Sequence, residues 1–295
     1  LTPFNQGTTT GKVSMRGFNG EGEVNAVKLL IDGVPSNSND GNMPYLDLLP
    51  PLGLAAVQAV RGTNDARFGL HAIAGHLELV SREGGNGQEA RLATGSWGLA
   101  DAQVAIDREA DGLTTNLAFG LRSSDGWREH AASDRRALSA RWTWRADGQD
   151  LRATFAVRAL QHEAEEPGYL TAAQVAEDRR RMSPVSTTDG GERTAAQVAA
   201  GLEGGLTQPL SWRVLAWANR FMDQRFVRFS ATASQQERDT DELHQGLRAT
   251  VSWRVPVRAL HALALEGGVD TERQDNASQR YATAQRVRTA ATRDQ

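Results

Sequence analysis

From about residue 88 onward, apolar and polar residues alternate. Leu151, Ala153, Phe155, Val157 and Ala159 fall on one face of a segment, with Arg152, Thr154, Ala156 and Arg158 on the other. Leu138, Ala140, Trp142 and Trp144 alternate with Ser139, Arg141, Thr143 and Arg145 in the same way. So do Leu247, Ala249, Val251, Trp253 and Val255 with Arg248, Thr250, Ser252 and Arg254. A period of two belongs to a strand; on a helix these apolar side chains would point in every direction. The pattern predicts about nine strands, near 88–97, 99–108, 113–123, 135–145, 151–161, 193–206, 210–222, 242–255 and 257–268.

A soluble antiparallel sheet with one wet face would also alternate, so lengths and connections have to discriminate. Several segments run about 9–11 residues, the length with which a tilted strand crosses a bilayer. Trp127, Trp144, Trp212 and Trp253 sit near segment ends, where interfacial aromatic girdles belong. Every second connection is short: 109–112, 146–150, 207–209 and Pro256. The others are long (124–134, 162–192, 223–241), except for the tight reversal at Gly98. Short turns at one end and long loops at the other are the signature of a transmembrane barrel.

Residues 1–85 have a different texture, with short apolar runs between Gly- and Asn-rich turns. Val27-Lys28-Leu29-Leu30-Ile31 reads as a buried strand closed by the turn dipeptide Asp32-Gly33 and by Pro35. Ala56-Val57-Gln58-Ala59-Val60 and the run 77–80 are two more, and 36–45 reads as an exposed polar loop. The expectation is a mainly β chain. A small mixed α/β domain over 1–85 precedes an antiparallel transmembrane barrel over 86–295, both incomplete. Nine strands fall well short of the roughly 22 of plugged outer-membrane transporters.

Composition narrows the function classes. The most apolar stretch, 48–60, is too short for a membrane helix and carries Pro50 and Pro51. A net charge of -3 provides no basic field for nucleic acid. The absence of cysteine removes disulfides, cysteine zinc sites and thiol nucleophiles. Only Lys12 and Lys28 are lysine among 33 basic residues, a bias read as genome composition. There is no G-x-S-x-G, no phosphate-binding loop and no cofactor motif, so neither an enzyme nor a bound cofactor is expected. Gly20-Glu21-Gly22 lacks a strand-to-helix frame, and Asn276-Ala277-Ser278 is a chance sequon.

Four stretches in order resemble the plug of the TonB-dependent outer-membrane receptors. Val13-Ser14-Met15-Arg16-Gly17-Phe18 is similar to the family's RGF segment, and Leu29-Leu30-Ile31-Asp32-Gly33-Val34-Pro35 to its IDGVP strand and turn. Residues 57–69 resemble its VEVLRGP box, with Gln58, Thr63 and Phe68 departing from the usual Glu, Pro and Tyr. Residues 72–82 resemble its AIGGVINIVTR box, where Ala74 replaces a Gly and His76 and Glu78 are unusual. The resemblance implies an outer-membrane receptor that imports a scarce nutrient, most simply a ferric siderophore or similar metal chelate. Its partners would be outer-membrane lipid and the TonB complex, the latter contacted through a segment upstream of this chain. Cobalamin, another cofactor or an oligosaccharide is the alternative cargo; a soluble β-rich binding or adhesion module is the alternative class.

Candidate ligand contacts follow from both lines of reasoning. In the family the loop after the IDGVP turn rises toward the extracellular side, which makes Asn37, Asn39, Asp40, Asn42 and Tyr45 candidates: amides, a carboxylate and an aromatic face suited to a polar chelate. The same residue types are also the usual turn formers. Tyr169 is a candidate in the long loop, where Thr171 is placed to cap a helix running to about Arg181 with Arg179, Arg180 and Arg181 in its last turn. Arg141 and Arg158, with Arg152, Arg248 and Arg254, lie on the non-apolar face, hence in the lumen. They either attract an anionic chelate or pair with plug charges such as Arg16, Arg61 and Glu83. His162-Glu163-Ala164-Glu165-Glu166 has no second ligand spacing for a metal and reads as a solvated loop start.

Overall fold

In a computed structural model of the chain, apolar alternation becomes one large antiparallel sheet with a small domain seated on its polar face. The structure describes residues 2–6, 10–19, 25–62, 69, 71–146, 150–207, 209–255 and 263–294, with side chains described between 13 and 289. Gly20-Glu21-Gly22, the departures at Thr63 and Phe68, and the Pro256 connection lie outside the described residues.

The N-terminal part begins with a hairpin of β1 (Thr2–Gln6) and β2 (Thr10–Ser14). It continues with β3 (Val27–Ile31), β4 (Val34–Pro35), β5 (Leu54–Arg61) and β6 (Gly75–Ser81). The last four form a sheet in the order β4-β3-β6-β5, in which β3 and β6 run parallel. A 3-10 turn at Pro51–Gly53 is the helical element among this part's described residues. The polar run 36–45 is mostly interior. Asn37 is buried and takes the place of a strand partner: its Oδ1 accepts the Leu29 N–H at 2.8 Å, and its Nδ2 donates to the Val27 and Gly41 carbonyls. Amide side chains satisfy backbone groups as well as water does, and the sequence alone could not say which.

Among the described residues the wall comprises ten strands. These are β7 (Gly87–Thr94), β8 (Ala100–Ala110), β9 (Leu113–Ser124), β10 (Ser133–Arg145) and β11 (Leu151–Glu165), followed by β12 (Gly190–Gly204), β13 (Leu210–Val227), β14 (Gln235–Val255), β15 (Leu263–Ala284) and β16 (Val287–Asp294). Each pairs with its sequence neighbour, so the sheet is an open meander with β7 and β16 at its edges. Strand β15 lies later than the predicted 257–268, and β16 extends the expected set. The residues predicted as a long loop at 223–241 mostly lengthen β13 and β14, leaving 228–234 as the connection. Likewise β11 runs through His162 to Glu165, so that the acidic run is strand rather than loop.

The two faces of the wall differ chemically. Leu92, Phe119, Trp144, Phe155, Val251 and Trp253 point away from the small domain and remain exposed, Trp253 by 45%. An apolar band of this extent is far beyond what a soluble surface carries singly. On β13 the outer run Leu210, Trp212, Val214, Ala216, Ala218 is ended by Arg220, paired to Asp241 at 2.8 Å. That apolar stretch matches the roughly 9–11 residues of a tilted membrane strand. Trp144, Trp212 and Trp253 lie together at the short-turn end, as a girdle would. On the inner face, Ala137, Leu160, Ala195 and Phe221 join Leu29, Ile31, Tyr45 and Leu48 of the small domain in one buried apolar cluster.

Candidate functional site

The turn between β3 and β4 fixes the small domain to the wall. Asp32 and Gly33 both have positive φ (50° and 81°), the geometry of a tight two-residue hairpin turn. Asp is among the few non-glycine residues that visit the left-handed region, and here its carboxylate accepts from the Ser81 N–H (2.8 Å) and the Ser81 hydroxyl (2.6 Å) of the neighbouring strand β6. The same carboxylate receives Arg158 directly and has Arg141 at 3.7 Å. Arg158 is only 1% exposed and also donates to Gln197 Oε1 at 2.6 Å; Gln197 in turn donates to Ser36. Glu83 gathers Arg141, Arg145 and Arg152 at 2.9, 2.5 and 3.0 Å. Arg141 and Arg158, candidates for ligand contact, are thus each paired with a carboxylate of the small domain. Glu83 meets them as expected; Arg16 and Arg61 are exposed.

Beneath this seam, at the short-turn end, lies a cavity of about 840 Å³ lined by Glu78, Arg152, Glu203, Arg213, Arg248 and Asp270 among others. Burial, with Asp32 nearby, pushes the Glu78 carboxyl above its ordinary value. Burial likewise holds the Lys28 ammonium below its usual value, against the opposing field of Glu272.

At the other end, the candidates in 36–45 separate into two groups. Asn37 and Tyr45 are structural: Tyr45 is 2% exposed, its ring 6.2 Å from that of Phe221, and its aromatic face is closed to a ligand. Asn42 and Asp40 bond to each other and to Asn25. Asn39 and Asp40 form the exposed tip, and the Asn39 N–H donates to Glu242 of β14 at 3.2 Å. From Gly33, near Arg213 and Arg248, to Asn39, beside Glu242, the loop climbs toward the long-connection end of the wall.

Above that tip the long connection 166–189 is latched rather than loose. Arg128 donates to the carbonyls of Pro167, Gly168 and Arg181. Glu166 is buried in a bidentate pair with Arg225 (2.7 and 2.6 Å), and Asp189 receives the Arg228 N–H and Gln235. Tyr169 stands 79% exposed beside α1 (Ala172–Glu177). Thr171 caps α1 in a reciprocal box with Gln174, as expected. The helix stops at Glu177 rather than near Arg181, because extended Asp178 ends it and accepts the Arg180 N–H. Arg179, Arg180 and Arg181 therefore lie beyond its last turn, and Arg180 reaches the Trp127 carbonyl instead. Among the described residues no group of acidic and histidine side chains is arranged to hold a metal ion.

With this geometry in hand, comparison with known proteins is decisive for the small domain: residues 1–76 match the TonB-dependent Receptor Plug Domain. The chain carries the plug of a TonB-dependent receptor. The plug and wall together are similar to the ferric citrate transporter FecA in its unliganded form, with a TM-score of 0.75 at 16% identity over 91% of this chain and 42% of that one. The ferric yersiniabactin uptake receptor FyuA from Yersinia pestis gives 0.75 at 14% identity, over 93% and 44% of the two chains. The pyoverdine receptor FpvA from Pseudomonas aeruginosa PAO1, bound to pyoverdine, gives 0.73 at 13% identity, over 100% and 45%. The chain spans less than half the length of these solved receptors, and at such identities the likeness is one of fold. No curated protein sequence matches the chain. Sequence reasoning did not single out Asp32, Glu166 or Glu242 for these contacts. The turn dipeptide marked Asp32 as a turn residue, and the contacts of all three are with residues far away in sequence.

Proposed function

We propose that the whole protein is an outer-membrane TonB-dependent import receptor, and that its cargo is a ferric siderophore or similar metal chelate. One observation carries the reading: a plug seated on the polar inner face of a strand wall whose opposite face is an exposed apolar band ended by ion pairs. A wall of that kind needs lipid on one side and an obstructed lumen on the other. The neighbours' ferric cargoes support the chelate, and Asn39, Asp40 and Tyr169 are the exposed candidates for its contact. In this reading Arg141 and Arg158 act indirectly, holding the plug until the TonB complex pulls on it.

The test is growth of a deletion strain, with and without the restored gene, on single iron chelates and on cobalamin as sole sources. Rescue on one or more ferric chelates is the expected result. Rescue on cobalamin alone would assign the other cargo class, and unaltered iron uptake throughout would overturn the siderophore reading.

A further inference from the structure

The outward apolar band does not follow the rows of the hydrogen-bonded register; it crosses them at an angle. On β9 its last outward residue is Leu121, followed by Ser123. Traced strand by strand through Arg136, Gln161, Thr194, Met222 and Asp241, Leu121 is level with Ala277 of β15. There the band has already ended at Val269, eight residues lower. Eight residues of about 3.3 Å over six strand spacings of about 4.8 Å incline the edge of the band by roughly 40° to the rows. That is the tilt of strands in a transmembrane barrel, so the edge marks a membrane surface at the long-connection end. On β7, Leu92 is level with Leu121 through Ala102. The same slope carries the edge two strands further, to about residue 95, at the foot of the β7–β8 turn that holds half-exposed Trp97.

The chemistry just above this edge is layered. The first outward residue past the band is Arg136 on β10 and Arg220 on β13, and on β15 Arg273 follows Thr271. Gln161, Thr194 and Gln245 hold that position on β11, β12 and β14. The first outward carboxylates of these strands, Asp134, Glu163, Glu192, Asp241 and Asp275, all stand farther out. At the β7–β8 turn, Arg180 lies 4.5 Å over the Trp97 ring and donates through Nε to the Trp127 carbonyl at 3.0 Å. Among the described residues the guanidiniums of Arg136 and Arg180 have no carboxylate partner. Arg220 and Arg273 have exposed ones, Asp241 and Asp275, and exposed pairs hold weakly. Arginines set forward and carboxylates held back suit a layer of anionic groups lying against the hydrocarbon. Arginine lays its apolar stem on the band and extends a planar fork that matches phosphate oxygens.

We propose that Arg136, Arg180, Arg220 and Arg273, with Trp97 and Trp127 as interfacial anchors, form a belt that binds the phosphate groups of outer-leaflet lipid. Tryptophan suits this level, with an apolar ring and a polar N–H. Arg136, Arg220 and Arg273 are separated by three and then two strand spacings, roughly 14 and 10 Å, so each meets a different phosphate. The belt lies on the outer face, apart from the lumen. It rests on the outer-membrane part of the function proposed above and is independent of which nutrient is carried.

The experiment uses the full-length receptor in a maltoside detergent, which carries no phosphate. Wild type is compared with the Arg136→Gln/Arg180→Gln double variant and with a quadruple variant that adds Arg220→Gln and Arg273→Gln. Probes are bisphosphorylated lipid A, its dephosphorylated form and inorganic phosphate, with bound lipid counted by native mass spectrometry. Wild type is expected to hold the phosphorylated lipid at least tenfold more tightly than the dephosphorylated one. The double variant should lose at least threefold, and the quadruple variant at least tenfold, in affinity for the phosphorylated lipid. The dephosphorylated lipid should stay within twofold of wild type throughout, and millimolar inorganic phosphate should not displace the bound lipid. Because neither Arg136 nor Arg180 is in an ion pair, the double variant should keep heat-modifiable gel migration, and it carries the test if the quadruple variant fails to fold. Equal affinity of wild type for the two lipids, a smaller loss in the folded double variant, or displacement by inorganic phosphate would overturn the belt. A receptor that stays folded and dispersed without detergent would instead refute the outer-membrane reading itself.

Discussion

The inner face of the wall uses arginine in two opposite ways. Near the short-turn end, Arg141, Arg145, Arg152 and Arg158 converge on Asp32 and Glu83 of the plug, each charge close to its counterion. Toward the long-connection end, Arg238 and Arg280 face each other across strands, and among the described residues neither forms an ion pair with a carboxylate. The same residue type, on the same face, is a fastener in one place and an unsatisfied field in the other. Arginine count alone, or net lumen charge, does not distinguish the two; the position of the plug's carboxylates does.

The strongest way to break the contrast is at the fastened end. Asp32→Asn keeps a residue that tolerates the turn's positive φ but leaves Arg158 buried without a charge partner. Removing one member of a buried pair costs about 3–5 kcal/mol, expected here as loss of plug stability in urea unfolding of the detergent-solubilised receptor. Glu83→Gln should cost less, about 1 kcal/mol, because Arg145 is half exposed and solvent screens that part of the cluster. A loss from Glu83→Gln as large as that from Asp32→Asn would remove Asp32 from its central position.

The smallest effect is one of pH. Burial, then Asp32, raises the Glu78 carboxyl, so the folded plug holds that proton to higher pH than the unfolded chain. Glu78 accordingly subtracts stability as pH rises from the ordinary carboxylate value through the raised one. Glu78→Gln is expected to flatten the stability curve in that window and leave neutral-pH stability equal or higher. An unchanged slope in that window, with the variant less stable at neutral pH, would show that Glu78 is held charged by Arg213 instead.

Much of the wall was legible in the sequence because its middle is built by one repeated constraint, an apolar side chain every second residue. Legibility ended where that constraint did. Beyond Val269 the outer positions of β15 become Thr271, Arg273 and Asp275, above the apolar band, and alternation no longer marks the strand. The β15–β16 turn is Gln285-Arg286, both at positive φ, with none of the usual turn residues. It is held by distant bonds, Arg286 to the Thr188 carbonyl and to Gln235. The plug strands were clear for the opposite reason, being short apolar runs closed by Asp32-Gly33 and Arg61-Gly62.

The candidate site was less legible. Asn37, Asn42 and Tyr45 had the composition of a binding loop, yet two of the three are buried, and Asn42 bonds to Asp40 and Asn25. Asn and Tyr donate equally well to a ligand or to the backbone beside them, and only three-dimensional neighbours decide between these. Asn39 and Asp40 remain exposed because the loop's climb ends at them. The opposition of Arg225, Arg238 and Arg280 was invisible for a related reason: it exists only once the register of three strands is fixed.

The account's central claim, a wet inner face and a lipid-facing outer one, can be tested by cysteine labelling: these 295 residues contain no cysteine, and any elsewhere in the full-length receptor is first replaced by serine. Single cysteines would be introduced in the full-length receptor at each position from Leu247 to Trp253 and treated, in outer-membrane vesicles, with a small water-soluble maleimide. Labelling is expected at 248, 250 and 252 and protection at 247, 249, 251 and 253. Uniform labelling along β14, or protection with the opposite parity, would contradict it.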